Sequence, residues 1–178
     1  MDSSIELADL LVNELAKQIK LKYKDDVTCT NLVYLKLQNF GMKPGFAFAI
    51  QMVSTSLIES NLDNVVAYVG QVMGNEILGA PAEFSNDGDK FIKFQYNKEL
   101  PSMFRRLGPI TKQGMPPEQE FWLQVYGHFI LGIYQGALLH FGYRTVGKFD
   151  FGDDSIQFSI KPEKLVGTWS SPPSVLLK

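Results

Sequence analysis

Residues 121–142 constrain the fold most strongly, because apolar side chains recur there as adjacent pairs every four residues. A helix turns about 100° per residue, so this repeat drifts by roughly 40° at each step and the apolar stripe winds around much of the helix. The pattern predicts a helix at the centre of a domain. Its pairs are Phe121/Trp122, Val125/Tyr126, Phe129/Ile130, Ile133/Tyr134 and Ala137/Leu138.

Three glycines interrupt this helix, at Gly127, Gly132 and Gly136. Each glycine lowers the stability of a helix by about 1 kcal/mol relative to alanine. A residue without a side chain also allows two helices to approach closely. We therefore expect these glycines to lie against a neighbouring backbone, where the closer packing offsets their cost.

The composition is that of one ordinary globular domain, with 178 residues of which 45% are hydrophobic and 20% are charged. The formal charge of −2 lacks the positive excess that most nucleic-acid-binding proteins need. A single cysteine, Cys29, excludes an internal disulfide and a zinc site built from several thiolates, and it favours a reducing compartment. We expect one domain over residues 1–166 and a loose tail over residues 167–178.

The sequence carries no export or membrane signal. Its first residues lack the basic start and apolar run of a secretory signal peptide. Polar residues interrupt the central helix at Gln124, His128, Gln135 and His140, at depths where a lipid bilayer would penalise them. The expected location is cytoplasmic, with at most peripheral association with a membrane.

The first half of the chain has a helical period. A capping box of Ser3 and Glu6 begins a first amphipathic helix that ends near Tyr23. A second helix begins at about residue 25, and residues 62–78 form a third. Together with the central helix, these segments predict a helical layer.

The second helix contains helix-breaking residues and a very apolar end. We expect a break near Gly41 and a restart at Pro44, which is a residue favoured in a first helical turn. Residues 46–53 then leave almost no polar face. This stretch predicts burial on several sides or contact with another chain.

Alternating patterns predict two β-hairpins, over residues 84–96 and 143–160. Gly142 is expected to end the central helix in the left-handed conformation. Prolines and glycines between residues 99 and 115 predict a long surface connection. The fold class is therefore α+β: about four to five helices, one of them central and glycine-containing, with two antiparallel β-hairpins.

Two glycine motifs are informative about the family. Residues 37–45 read Leu-Gln-Asn-Phe-Gly-Met-Lys-Pro-Gly, and residues 132–138 read Gly-Ile-Tyr-Gln-Gly-Ala-Leu. With the order of the elements, these motifs resemble the small subunits of TRAPP, the transport protein particle that tethers vesicles, also called the Bet-three-like family. The resemblance covers residues 4–161 and is closer in topology than in sequence identity.

The sequence departs from the family pattern at several positions. Gln135 replaces the usual arginine of the last helix, and Ala47 and Ile50 stand where the second helix commonly carries an arginine and a glutamate. Some members carry an acylated cysteine near the start of the third helix, but this chain has Asn-Leu-Asp-Asn at residues 61–64. We therefore predict no acyl thioester here.

The resemblance implies a non-catalytic scaffold subunit of a vesicle-tethering complex in ER-to-Golgi or Golgi transport. Its partners would be related small subunits, in a homodimer or a heterodimer, and a Rab-type GTPase through the whole complex. The family glycines are Gly41, Gly45, Gly132 and Gly136. Candidate dimer-interface residues are Leu11, Leu15, Phe46, Phe48, Ile50, Met52 and Val53.

A second interpretation is a sensor domain of the vinyl-reductase type, which shares this fold and holds a small apolar ligand. An apolar tunnel beside Gly132 and Gly136 would then be lined by Phe129, Ile133 and Ala137.

An enzyme is the least favoured class, and we assign no catalytic, cofactor-binding or metal-ligating residue. His128 and His140 lack the spacing of a metal site, and the aspartates at 153 and 154 lie in an expected hairpin turn. We therefore expect no cofactor.

Overall fold

The computed structural model describes residues 2–23, 29–53, 62–86, 91–97 and 99–165. Within these ranges the helices are α1 (Asp2–Lys22), α2 (Cys29–Val53), α3 (Leu62–Ala67), a π-helix (Tyr68–Leu78), α4 (Ser102–Arg105) and α5 (Pro117–His140). The strands are β1 (Glu83–Asn86), β2 (Ile92–Tyr96), β3 (Tyr143–Gly152) and β4 (Ser155–Lys164). The predicted α+β class is confirmed. The predicted tail lies outside the described residues.

Helix α5 lies at the centre of the domain, as its apolar stripe predicts. Helix α2 packs along one side of it, and the sheet packs along another. On the sheet side, the ring of Tyr134 stacks on that of Phe94 with 4.4 Å between centroids. Gly142 follows the helix with a φ of 83°, which is the left-handed conformation expected there. The buried residues of α5 are Leu123, Val125–Gly127 and Phe129–Leu138.

The contact between α2 and α5 is built from glycines on both helices. A Cβ at Gly41 or Gly45 would collide with the backbone carbonyl oxygen of residue 129 or 133 on α5. In the other direction, a Cβ at Gly132 or Gly136 would collide with the carbonyl oxygen of residue 38 or 42 on α2. Because residue numbers increase together on the two helices, α2 and α5 run parallel, with their backbones in direct contact.

The two hairpins join into one antiparallel sheet with the strand order β1-β2-β4-β3. The joining pair is β2 with β4, in which Phe94 lies opposite Phe158. Alternate residues of these two strands point towards α5, and the pattern that predicted them is the ordinary two-residue period of a half-buried sheet. The buried set is Ile92, Phe94, Tyr96, Ile156, Phe158 and Ile160.

The predicted break in the second helix is wrong, because α2 is continuous from Cys29 to Val53. Pro44 lacks the N–H that would bond to the carbonyl of Phe40. Both residues are exposed, so that carbonyl lies on the solvent side of the helix. The opposite side carries Gly41 and Gly45 in backbone contact with α5, and this packing holds the helix together through the proline.

The third predicted helix changes its winding at Tyr68, where α3 gives way to a π-helix that ends at Leu78. Helices of this type are rare and are usually a single turn long. The segment closes at Gly79, which has a φ of 69° and donates its N–H to the carbonyl of Asn75 at 3.1 Å. A residue pattern of period 3.6 does not distinguish this winding from an α-helix.

The connection between residues 99 and 115 is only partly at the surface, contrary to the prediction. It contains α4, and the side chains of Met103, Phe104 and Ile110 are buried. Phe104 stacks on Phe149 of β3 with 6.0 Å between ring centroids. The prolines and glycines correctly indicate an irregular backbone, but the apolar residues between them pack into the core.

Gly132→Ala should lower the free energy of unfolding by about 3 kcal/mol, because the added Cβ meets a backbone carbonyl of α2 that cannot move aside. Urea denaturation followed by circular dichroism would measure this. Asn39→Ala, at an exposed position of α2, is the matched control and should change stability by less than about 0.5 kcal/mol. Equal stability of the two variants would contradict the close helix contact.

Candidate functional site

The outer face of α1 and α2 carries part of the predicted dimer interface. Leu11 is 54% exposed and Ile50 is 47% exposed, although both are large apolar residues. Leu15 is half-buried and lines a groove between the two helices. These three side chains are available for contact with a partner in the described structure.

The other interface candidates do not share that face. The ring of Phe46 packs edge-on against His140 of α5, with 5.4 Å between centroids. Phe48 is half-buried and lines a cavity beside α5. Residues two apart on a helix are separated by about 200°, so a continuous apolar run cannot form one surface. The side chains of Met52 and Val53 lie outside the described part of the structure.

Exposed apolar residues that were not singled out from the sequence extend this outer face. Their common feature is a position on α1 or α2 that faces solvent where a polar residue is usual. Leu10 is 65% exposed and Leu35 is 58% exposed. A helical wheel that compares α1 and α2 jointly would have found them. The other two members are Leu21 and Phe40.

A groove of about 470 Å³ separates α1 from α2 on the solvent side. Its apolar walls come from Leu15, Tyr23 and Phe40. Its polar rim contains Lys36 and Lys43, which are both exposed. The groove combines apolar and positively charged groups, as the rim and centre of a protein interface do.

A separate cavity of about 240 Å³ lies beside α5, between Phe48 of α2, the end of the π-helix and α4. Phe129 and Ile133, two of the predicted ligand-lining residues, are in its wall, but Ala137 is not. The wall also contains Ser102, whose buried Oγ has no hydrogen-bond partner among the described residues.

The space beside Gly132 and Gly136 is not part of this cavity. The backbone of Gln38 and Met42 fills it. The opening expected there is therefore closed by α2.

Gln135 occupies the position where the family resemblance leads one to expect arginine, and it is buried with only 5% of its surface exposed. Its Oε1 accepts a hydrogen bond from Gln38 Nε2 at 2.7 Å, and its Nε2 donates to the carbonyl of Thr145 at 3.3 Å. The neutral amide therefore links α2, α5 and β3. A buried polar group is tolerated when its hydrogen bonds are made, and an uncharged one avoids the cost of burying a charge.

The two histidines lie in packing environments. His128 Nδ1 is 3.3 Å from Gln38 Oε1, and its ring stacks on Tyr34 with 5.0 Å between centroids. Burial lowers the pKa of both His128 and His140 from the ordinary value of 6.5. The neutral imidazole is therefore the favoured form in the fold.

Two tyrosines form a buried pair that sequence inspection did not identify. The hydroxyls of Tyr96 on β2 and Tyr134 on α5 are hydrogen-bonded to each other. Burial raises the pKa of Tyr96 and of Tyr134, so both remain neutral. The two-residue period shows that Tyr96 points inward, but nothing in the sequence names its partner.

The aspartates of the β3–β4 turn have structural partners. Asp154 Oδ1 accepts from the Ile110 N–H at 3.3 Å, and the Asp154 N–H donates to the Ile110 carbonyl at 2.8 Å. Asp153 Oδ1 accepts from the Lys112 N–H at 2.8 Å. These bonds attach the turn to the connection that follows α4.

Within the described ranges, no group of three histidines, cysteines or acidic residues is placed to hold a metal ion. No helix in the same ranges is long and apolar enough to cross a membrane.

The chain matches no protein-family model and no curated protein sequence. Its structure is similar to the crystal structure of a trafficking protein particle complex subunit 3 from Naegleria fowleri, which is covalently bound to palmitic acid. The TM-score is 0.71 at 17% sequence identity, and the match covers 94% of this chain and 100% of that chain. At this identity the similarity shows the fold. The resemblance to TRAPP small subunits is thus confirmed at the level of the fold.

Acidification should lower the free energy of unfolding through the two histidines. Their folded pKa values lie below the unfolded value of 6.5, so the unfolded chain takes up protons first as the pH falls. The contribution of the two neutral histidines to the free energy of unfolding is fully present above about pH 6.5. It is lost as the pH falls from there towards the folded pKa values. Urea denaturation at pH 7.5 and pH 5.5 would measure the loss.

The control is the double variant His128→Gln/His140→Gln, which removes both histidines of the chain. It should lose less stability between the same two pH values. An identical loss in both proteins would show that other groups cause it.

Proposed function

We propose that this chain is a non-catalytic small subunit of a TRAPP-like vesicle-tethering complex, in which it acts as a dimerising scaffold. The observation that supports this is the exposed apolar face of α1 and α2 on a domain with the fold of a TRAPP subunit. Apolar side chains such as Leu11 and Leu35, each more than half exposed, are costly in water and are typical of a surface that another protein covers.

In this role α1 and α2 bind a related small subunit, while α5 and the sheet keep the domain rigid. The partner proteins are therefore other small subunits and, through the assembled complex, a Rab-type GTPase. The chain works in the cytoplasm and associates peripherally with ER or Golgi membranes, in ER-to-Golgi or Golgi transport.

The palmitic acid of the Naegleria fowleri subunit is not part of this proposal. The only cysteine, Cys29, lies at the start of α2, where its Sγ is 3.8 Å from the Lys20 carbonyl oxygen. Residues 61–64, where some TRAPP small subunits have their acylated cysteine, contain none. The chain is expected to carry no acyl thioester.

Assembly can be tested by capture from the cell of origin with mass-spectrometric identification, together with light scattering of the purified protein at micromolar concentration. We expect other TRAPP small subunits in the captured material, and a dimer or obligate complex in solution. Leu11→Glu/Ile50→Glu should reduce the captured partners at least tenfold, because it places two charges on the exposed apolar face.

The matched control for this experiment is Val146→Glu on β3, where the side chain is 73% exposed and lies on the sheet instead of the helical face. It should leave capture unchanged. A stable monomer that captures no related subunit would refute the scaffold role.

The cavity beside α5 favours one alternative, a sensor domain of the vinyl-reductase type that binds a small apolar ligand. Its volume of about 240 Å³ is just below the range of about 300–1,000 Å³ that is usual for ligand pockets. A ligand of this size would be smaller than most cofactors.

Native mass spectrometry of the purified chain would test this alternative, which predicts a co-purifying apolar molecule. Ile77→Phe fills the cavity wall and should abolish the extra mass, whereas Val72→Phe, on the exposed side of the same π-helix, should retain it. Protein of unmodified mass in every preparation would exclude the sensor.

A further inference from the structure

The groove between α1 and α2 is lined by positive charge as well as by apolar side chains. Lys22, Lys36 and Lys43 are all in its wall and all exposed. No acidic residue is in that wall, and α2 contains no aspartate or glutamate along its whole length.

Two of these lysines share one aromatic ring. The Nζ atoms of Lys22 and Lys36 lie 5.6 Å and 5.5 Å from the centroid of the Tyr23 ring. The ring attracts each ammonium weakly, while the two ammonium groups repel each other. Tyr23 thus holds two positive charges at the mouth of an apolar groove.

We propose that this groove binds an acidic and apolar surface of a different subunit, and that it disfavours a second copy of this chain. The inference rests on the proposed assembly role and adds the chemistry of the partner. The apolar side chains of the partner would cover Leu15 and Phe40, and its carboxylates would reach the lysines at the rim.

The need for carboxylates follows from desolvation. A partner that covered the groove with apolar groups alone would remove water from the lysine ammonium groups without replacing it. Carboxylates placed against Lys22 and Lys36 would instead form charge-assisted hydrogen bonds and relieve the repulsion between the two cations. The groove therefore selects its partner by charge, in addition to shape.

The same charges oppose a homodimer centred on this groove. In a two-fold symmetric contact, the same patch of both copies meets itself. Lys22, Lys36 and Lys43 of one copy would then face the same three lysines of the other. Glu14 directly precedes Leu15 on α1 but is not in the groove wall, and its side chain accepts a hydrogen bond from Gln18 Nε2 at 2.7 Å.

The test compares three versions of the full-length chain. These are the native sequence, the charge reversal Lys36→Glu/Lys43→Glu, and the control Lys148→Glu/Lys161→Glu on exposed positions of β3 and β4. Each is captured from the cell of origin, the partner is identified by mass spectrometry, and the partner is then expressed and titrated against all three by calorimetry. Lysine and glutamate have similar helix propensities, and circular dichroism verifies the fold of each variant.

We expect the native chain to bind an identified small subunit with an affinity that falls at least tenfold between 50 and 500 mM salt. Lys36→Glu/Lys43→Glu should bind at least tenfold more weakly at low salt, and the control should bind like the native chain. Glutamate or aspartate to lysine changes on the contacting surface of the partner should restore binding to the reversed variant.

Two outcomes would overturn the inference while leaving the scaffold role intact: equal binding by the native and reversed chains, or a native chain that assembles only with copies of itself. A native chain that remains a monomer and captures no small subunit, neither a related one nor a second copy of itself, would instead refute the proposed function from which the inference starts.

Discussion

The structure depends on the backbone-to-backbone contact between α2 and α5. Each helix contributes two glycines spaced four apart, and each glycine faces a carbonyl of the other helix at a distance that no side chain would permit. The helices therefore approach more closely than ridge-and-groove packing of ordinary side chains would allow. This contact explains how α2 remains one helix through Pro44, and it places α5 between the helical side of the domain and the sheet.

Much of this architecture can be predicted from local patterns in the sequence. The four-residue apolar repeat of residues 121–142 predicts an enclosed helix, and the two-residue period predicts both hairpins. The cost of glycines in a helix predicts close approach to a backbone, and this is correct for Gly132 and Gly136, whereas Gly127 lies against the ring of Phe149. Each of these features has a period or a composition that depends only on residues near it in the chain.

The features that the sequence did not predict depend on distant residues. Pro44 indicates a break when α2 is considered alone, and only its partner glycines on α5 show why the helix continues. Nothing local reveals that β2 pairs with β4, or that Tyr96 meets Tyr134. The apolar run from residue 46 predicted burial on several sides or contact with another chain, and helical geometry divides it between solvent, His140 and a cavity wall. The lysine-lined groove was missed for the same reason, since its two sides come from different helices.

The order of the chain also has a consequence for folding. Gln38 of α2 bonds to Gln135 of α5 across 97 positions of sequence, and the glycine contact joins the same two helices. During synthesis α2 therefore leaves the ribosome long before the helix that must cover its glycine side exists. Contacts between such distant segments slow folding, because a long loop must close before they stabilise anything. The glycine side of α2 thus remains uncovered for several seconds of translation, at about 5–20 residues per second.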